Sequence, residues 1–175
     1  HVAEGTVTDT HAAWVRLREL AAEQHVRLVQ HEDPEHPEHP EHPEHHEHHE
    51  HHERRGRKPR LIVAIEELAD LLLAGGREMR SLIEGLAEHG PAVGIHLLVA
   101  THRPSVDVCS RSLKAAFGAR LAMRVASALD SRAILDEAGA ERLLERGDGL
   151  LRVGTSAAQR VHLADFDGAA FAGVL

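Results

Sequence analysis

The sequence predicts an α/β fold in which a mainly parallel sheet is flanked by helices. Two runs of apolar residues, 61–65 and 94–100, have the length and composition of strands that are buried on both faces of a sheet. Segments with a helical pattern lie between and after these runs. Strands that alternate with helices are typical of parallel sheets covered by helices.

The first predicted helix covers residues 8–29, where Thr8 or Asp9 can cap the first turn and an apolar face follows. The first predicted strand, 61–65, is followed directly by Glu66 and Glu67. This abrupt change from apolar to acidic residues marks the end of the strand.

The rest of the chain continues the alternation. The predicted elements are a helix, a strand, a helix, a strand, a helix and a terminal hairpin, at residues 78–88, 94–100, 112–117, 119–125, 130–138, and 150–153 with 159–163. Gly75 and Gly76 predict a turn before the first of these helices, and Gly90 and Pro91 predict its end. His96, inside the second strand, is expected to be a buried core histidine.

Residues 31–58 form a low-complexity linker that separates residues 1–30, a helical remnant of the main domain, from the domain at 59–175. Glu-His-Pro repeats every three residues and then gives way to Glu-His-His. Regular prolines prevent a helix, so we expect an extended chain with no core. Ten histidines between His31 and His52 leave open metal binding or a pH-responsive spacer as alternatives.

Charge alone does not identify a partner. The formal net charge is −8, but residues 31–53 contain nine acidic residues and no Lys or Arg. Removing these nine from the 28 acidic residues leaves 19 against 20 Lys and Arg. The folded part is therefore near neutral, which neither supports nor excludes DNA. Its apolar runs are far shorter than a membrane span, so we expect no membrane contact from this segment.

The acidic pair after the first strand is a candidate catalytic site. Ligands of open α/β sheets bind at the carboxyl ends of the strands. In nucleoside triphosphatases, one such carboxylate holds magnesium and the next orients or deprotonates the attacking water. The pattern is weak on its own, because acidic residues also favour the first turn of a helix.

Several longer stretches strengthen the nucleotide interpretation. These stretches are PRLIVAIEELADLL at 59–72, GIHLLVATHRPSVD at 94–107, DSRAILD at 130–136, GAERLLERGD at 139–148 and QRVH at 159–162. In order and spacing, from Pro59 to about Phe171, they resemble the FtsK/SpoIIIE family of ATP-driven DNA translocases. The first resembles the Walker B region of the family. The resemblance implies an incomplete RecA-like P-loop NTPase core.

The resemblance also implies an ATP and Mg²⁺ site. It places Glu66 at the magnesium position and Glu67 at the water-activating position. His102 takes the place of a glutamine that senses the γ-phosphate. These three residues are the predicted nucleotide-contacting set, with Glu67 and His102 as the catalytic pair.

The implied partner is double-stranded DNA, threaded through a hexameric ring of identical subunits in the cytoplasm. A membrane anchor, where relatives have one, would lie in a region outside this sequence. The family places basic contacts to the DNA backbone at Arg103, Lys114 and Arg132. Each could equally be a surface charge or a helix-end ion pair.

Departures from the family pattern favour an alternative function, a degenerate, non-catalytic ring or scaffold subunit. No Gly-x-x-x-x-Gly-Lys-Ser/Thr loop occurs in the sequence, so we expect the chain as given not to bind ATP tightly. In the family this loop belongs upstream of the position of Val7, so truncation as well as loss can explain its absence. Glu66 replaces an aspartate, His102 a glutamine and Ala128 a lysine, and residues 91–94 lack the arginine that reaches a neighbouring subunit.

Overall fold

The computed structural model describes residues 7–32 and 59–164. The predicted linker lies outside these ranges, except that residues 31 and 32 end the first helix. The family-like stretch beyond residue 164 also lies outside them. The described α-helices and strands are α1 Thr10–Glu32, β1 Leu61–Ile65, α2 Leu68–His89, β2 Ile95–Val99, α3 Arg111–Ala116, β3 Ala119–Met123, α4 Ala128–Leu135, β4 Asp148–Val153 and β5 Gln159–His162.

The chain divides into two compact units. Among the described residues, the first contains 7–32, 59–65 and Ser81–Val99, and the second contains Glu66–Arg80 and 100–164. Within residues 7–32 and 59–164, no helix combines the length and hydropathy needed to cross a bilayer.

The first unit contains the predicted parallel strands. β1 and β2 pair in parallel, with Leu61 opposite Ile95 and Ile65 opposite Val99. A parallel pair needs a crossover connection, and α2 lies between the two strands in the chain. The predicted α/β class is therefore confirmed.

One face of this parallel pair is open, which the sequence did not lead us to expect. Side chains alternate between the two faces of a strand, and Ile62 and Leu98 are 76% and 66% exposed. His96 lies opposite Ile62 and is exposed as well, so its assignment as a core histidine was wrong. The apolar composition of β1 and β2 predicted burial on both faces, but none of the described elements covers this one.

α1 belongs to the first unit and is held there by polar contacts as well as by its apolar face. Asp9 caps the helix, accepting a hydrogen bond from the backbone N–H of Ala12 at 3.0 Å. Gln24 donates to the carbonyl of Gly85 at 3.1 Å. The buried Arg27 donates to the carbonyls of Pro59 and Val93, each at 3.1 Å. Arg27 thereby satisfies two carbonyls that lie outside the α-helices and strands.

The second unit contains an antiparallel sheet in the order β3-β4-β5. The predicted terminal hairpin is confirmed as β4 and β5, which pair with Asp148 opposite His162. β3 joins the other edge of β4, with Ala122 opposite Leu150. The alternation of strands and helices does not predict this antiparallel sheet.

A compact apolar cluster lies in the second unit. Its buried members are Ala122, Leu135, Ala140 and Leu143. Ser131, in α4, is fully buried and binds the chain that follows the helix. Its hydroxyl donates to the carbonyl of Glu137 at 2.7 Å and accepts from the N–H of Ala140 at 3.1 Å.

Two residues with positive φ shape the helices. Gly76 (φ 56°, ψ −139°) makes a kink inside α2, at the predicted glycine turn. A helical segment from Leu68 precedes this kink, so α2 begins ten residues before the predicted helix at 78–88. Asp136 (φ 65°) ends α4 in a left-handed conformation, and its N–H bonds to the carbonyl of Arg132 at 3.0 Å. Aspartate tolerates this conformation better than most residues.

Candidate functional site

The carboxylate of Glu67 accepts hydrogen bonds on both oxygens. Oε1 accepts from the hydroxyl of Thr101 and from the backbone N–H of Ala69, the latter at 3.1 Å. Oε2 accepts from the backbone N–H of His102 at 3.0 Å. The N–H of Leu68 also donates to the carbonyl of Ala100 at 2.9 Å. The segment that follows β2 in the chain therefore fixes the carboxylate that follows β1.

These contacts set the charge state of Glu67. Burial raises the pKa of Glu67, but hydrogen bonds from Thr101, His102 and Ala69, with the positive charge of Arg103, together lower it below its usual value. The side chain is thus an ionised acceptor at neutral pH. Such a group can orient a water molecule, and it can take a proton from one if the water is activated.

Glu66 differs sharply from its neighbour. Its side chain is exposed, and within residues 7–32 and 59–164 it makes no hydrogen bond or ion pair. No group of three or more His, Cys, Asp and Glu in this part of the chain could hold a metal. Mg²⁺ commonly binds through one or two carboxylates, water and substrate phosphates, and Glu66 fits that mode. It does not fit a metal cage made by the protein alone.

The side chain of His102 is exposed, and only its backbone is fixed by Glu67. Its imidazole is therefore accessible to a ligand beside Glu67. The structure brings two of the three predicted nucleotide-contacting residues, Glu67 and His102, into direct contact, with Glu66 adjacent in sequence. The described residues provide no glycine-rich cradle for phosphates.

Arg103 pairs with Asp70, in the first turn of α2. Both side chains are more than half exposed. An exposed pair of this kind contributes little to stability, so other anions can compete for the guanidinium.

The loop after Arg103 is fixed by Arg80. This side chain donates to the carbonyls of Asp107 and Val108, the latter at 3.4 Å, and to Ser110 Oγ at 3.1 Å. The loop between β2 and α3 is thus attached to the part of α2 in the second unit.

Lys114 is not free in this structure. Its ammonium lies 2.5 Å from Asp136 Oδ1, and it is 18% exposed. Arg120 donates to Asp136 Oδ2 at 2.8 Å, and the guanidinium of Arg152 lies 3.7 Å from the same oxygen. Hydrogen bonds from Lys114 and Arg120 hold the pKa of Asp136 at about 2, well below its usual range. One carboxylate therefore serves three cations.

Arg132 differs from the other two predicted DNA contacts in its pairing. It lies on α4 and is exposed, and its guanidinium has no hydrogen bond or ion pair among the described residues. Its charge acts on Glu141 only weakly, through space. On these contacts, Arg132 needs no rearrangement to bind a phosphate, Arg103 must release an exposed carboxylate, and Lys114 must leave Asp136.

Asp136→Asn tests the importance of the shared carboxylate to folding. Asparagine also tolerates a positive φ, so the change removes the charge while keeping the end of α4. We expect a loss of about 1–2 kcal/mol in the free energy of unfolding at pH 7, since Asp136 is 47% exposed and partly screened. Urea unfolding measures this. The control is Glu145→Gln, which removes the exposed partner of Arg124 and should cost less than about 0.5 kcal/mol.

The loss of unfolding free energy in Asp136→Asn should depend on pH in a defined direction. The folded pKa of Asp136, about 2, lies below its usual 3.8, so the unfolded chain binds more protons between these values. The contribution is complete above about pH 4 and disappears as the pH falls towards 2. The difference between the parent chain and Asp136→Asn should therefore shrink on acidification. A difference that stayed constant to pH 2 would contradict this assignment.

Comparison with known proteins supports the family suggested by the motifs. Residues 10–106, more than half of the chain, match the FtsK/SpoIIIE family. The chain belongs to the FtsK/SpoIIIE family. Among curated relatives, DNA translocase FtsK from Brucella melitensis is 45% identical over 104 residues, and that from Rickettsia typhi is 46% identical over 104. DNA translocase FtsK 2 from Neisseria meningitidis is 49% identical over 105 residues.

These matches cover only a small share of the length of each relative. Each includes 59% of this chain, but only 13% of the Brucella protein, 14% of the Rickettsia protein and 10% of the Neisseria protein. The FtsK/SpoIIIE chain described here therefore corresponds to one segment of much longer translocases.

Two solved structures show the fold of this FtsK/SpoIIIE segment. The pCW3 conjugation coupling protein TcpA, a monomer with ATPγS, superposes with a TM-score of 0.64 at 22% identity, over 89% of this chain and 45% of TcpA. The cytoplasmic domain of the type VII secretion ATPase EccC from Thermomonospora curvata gives 0.56 at 23%, over 90% of this chain and 17% of EccC. The fold is an incomplete RecA-like P-loop NTPase core, as the motifs predicted.

Sequence reasoning missed three residues that organise the site. Thr101 binds Glu67, Asp70 binds Arg103, and Asp136 binds Lys114. All three lie inside the family-like stretches, so their positions could have been flagged. Their partners are 34, 33 and 22 residues away, and no local pattern indicates such pairings.

Proposed function

We propose that this chain is part of an ATP-dependent motor that moves along double-stranded DNA, with ATP hydrolysis coupled to that movement. The observation that carries the proposal is the ionised Glu67 carboxylate, which is fixed by Thr101 and His102. Arg103 directly follows these two residues in the same loop. The residues that hold the hydrolytic group and a candidate DNA contact thereby share one short segment, 101–103. Membership of the FtsK/SpoIIIE family, and relatives named as DNA translocases, support it.

Each residue of the site has a defined task in this proposal. Glu67 orients the attacking water and accepts its proton. Glu66 holds Mg²⁺, whose charge would stabilise the transferring phosphoryl group. The exposed imidazole of His102 contacts the γ-phosphate. A glycine-rich phosphate loop has to come from outside this sequence, because none occurs within it.

On the DNA side, Arg103, Lys114 and Arg132 contact the backbone. Phosphate contacts are independent of base sequence, which suits a motor that must pass over any DNA. The proposed assembly is a hexameric ring of identical subunits in the cytoplasm, with the DNA passing through its channel.

The direct test is ATP hydrolysis by the native polypeptide, meaning the full-length protein as the cell makes it. The rate is measured with Mg²⁺ in the presence and absence of duplex DNA. We expect duplex DNA to raise the rate. Absence of hydrolysis under both conditions would contradict the motor proposal.

A second candidate function is a non-catalytic ring or scaffold subunit. The 3-10 helix Gly90–Val93 favours it, because Pro91 lies in its first turn where the family carries an arginine for the neighbouring subunit. Loss of a trans-acting arginine costs about 10³- to 10⁵-fold in related phosphoryl-transfer systems. Nucleotide affinity of the native polypeptide separates the candidates, since a scaffold that assembles into rings without binding ATP fits only the second.

Arg132→Gln tests the predicted DNA contact that has no hydrogen bond or ion pair among the described residues. Removing one phosphate contact should weaken duplex binding at every sequence and reduce the slope of log affinity against log salt by about 1. Fluorescence anisotropy with a labelled duplex, between about 50 and 200 mM salt, measures both. The control is Arg77→Gln, which removes an exposed charge from α2 that has no assigned DNA role. Equal effects of the two changes would indicate general charge attraction and contradict a specific contact.

A further inference from the structure

Thr101 occupies a central place in the site, although no role has been assigned to it. Its hydroxyl donates to Glu67 Oε1. The hydroxyl oxygen of Thr101 also accepts a hydrogen bond from the backbone N–H of Arg103 at 3.1 Å. A threonine hydroxyl has one proton to donate and lone pairs to accept with. Both capacities are used here, in a chain that runs from the backbone of Arg103 through Thr101 to the carboxylate of Glu67.

Two short segments are joined by these contacts. Residues 67–70 supply the carboxylate of Glu67 and that of Asp70, which binds the guanidinium of Arg103. Residues 101–103 supply the hydroxyl, the N–H that binds Glu67 Oε2, and the guanidinium. Arg103 is therefore connected to the first segment twice, by its side chain through Asp70 and by its backbone through Thr101. A displacement of the Arg103 backbone would act on the hydroxyl that binds Glu67.

We propose that Thr101 is a positioning residue that couples the occupancy of Arg103 by a DNA phosphate to the orientation of the Glu67 carboxylate. This inference rests on the proposed motor function. A phosphate that takes the guanidinium from Asp70 shifts the backbone of Arg103. The hydroxyl of Thr101 carries the shift to Oε1 of Glu67, and the N–H of His102 carries it to Oε2. Hydrolysis then responds to the presence of DNA.

A purely structural role for Thr101 makes different predictions. Glu67 precedes α2 and accepts a hydrogen bond from the N–H of Ala69, so Thr101 could simply steady the start of that helix. In that case, loss of the hydroxyl would lower stability while leaving the stimulation of hydrolysis by DNA unchanged. The stimulation ratio therefore separates the two roles.

The test compares Thr101→Val with Thr101→Ser in the native polypeptide. Valine removes the hydroxyl and serine keeps it. We expect Thr101→Val to lower the DNA-stimulated kcat roughly 10- to 100-fold while KM for ATP stays within about threefold, and to bring the stimulation ratio close to one. Thr101→Ser should restore most of both. The control is Thr155→Val, in an exposed turn after β4. Full DNA stimulation in Thr101→Val, or no rescue by serine, would overturn the proposal.

Amide hydrogen exchange, followed by NMR, tests the same link without hydrolysis. Adding duplex DNA should change the exchange of the His102 amide, which binds Glu67, in the parent chain and in Thr101→Ser but not in Thr101→Val. If DNA binds and His102 exchange does not respond in the parent chain, the coupling is wrong even if the protein is a motor. If DNA neither binds nor stimulates hydrolysis, the proposed function fails, and the coupling fails with it.

Discussion

Glu67→Gln is expected to lower DNA-stimulated ATP hydrolysis by the native polypeptide about 10²- to 10⁴-fold, the usual contribution of a general base. Glutamine keeps the size of the side chain and an oxygen that can accept from Thr101 or His102, but it cannot take a proton from water. The affinity for ATP should change little, because the group acts on the attacking water. Steady-state kinetics at saturating Mg²⁺ and ATP measure the effect.

A matched change separates this effect from a general loss of charge. Glu78→Gln makes the same substitution on an exposed residue of α2. We expect it to retain the parent rate within about twofold, because Glu78 has no assigned role in the site and surface substitutions of this kind have small effects. Duplex affinity serves as a check that Glu67→Gln still folds and assembles. Hydrolysis that survived Glu67→Gln, with Glu78→Gln equally active, would remove Glu67 from the base role.

Local sequence patterns were sufficient for the elements that position the acidic pair. The apolar runs became β1 and β2, and the paired glutamates follow β1 as the abrupt change of polarity indicated. These features depend on neighbouring residues alone. The helix cap at Asp9 and the kink at Gly76 were also recoverable, because each is a property of one residue type in one backbone conformation.

Features that depend on distant partners were not recoverable from local patterns. A five-residue strand such as β3 does not reveal whether its neighbour runs parallel or antiparallel to it. The exposure of Ile62 on β1 depends on which elements pack against the strand and not on its own composition. In the same way, Lys114 is basic in sequence, but its pairing with Asp136 requires α3 and the end of α4 to come together.

Two adjacent leucines follow the short 3-10 helix Ala140–Arg142 and provide a sharp test of the second unit. Leu143 is 6% exposed and belongs to the apolar cluster, whereas Leu144 is 68% exposed. Leu143→Ala should lower the free energy of unfolding by roughly 2–5 kcal/mol, and Leu144→Ala by no more than about 0.5 kcal/mol. Urea unfolding of both variants, with an unchanged dependence on denaturant, measures the difference.

The neighbours of Leu143 explain why its truncation to alanine should be costly. Ala122 and Ala140 are buried members of the same cluster, and alanine has no side chain that can move to fill a new cavity. The truncated site should therefore collapse poorly, which places the cost of Leu143→Ala in the upper half of the range. Leu144 contributes its backbone N–H to Asp148 at 2.7 Å, and this hydrogen bond is kept in Leu144→Ala. Similar losses for the two variants would mean that the cluster does not form the core of the unit that holds Arg132 and Asp136.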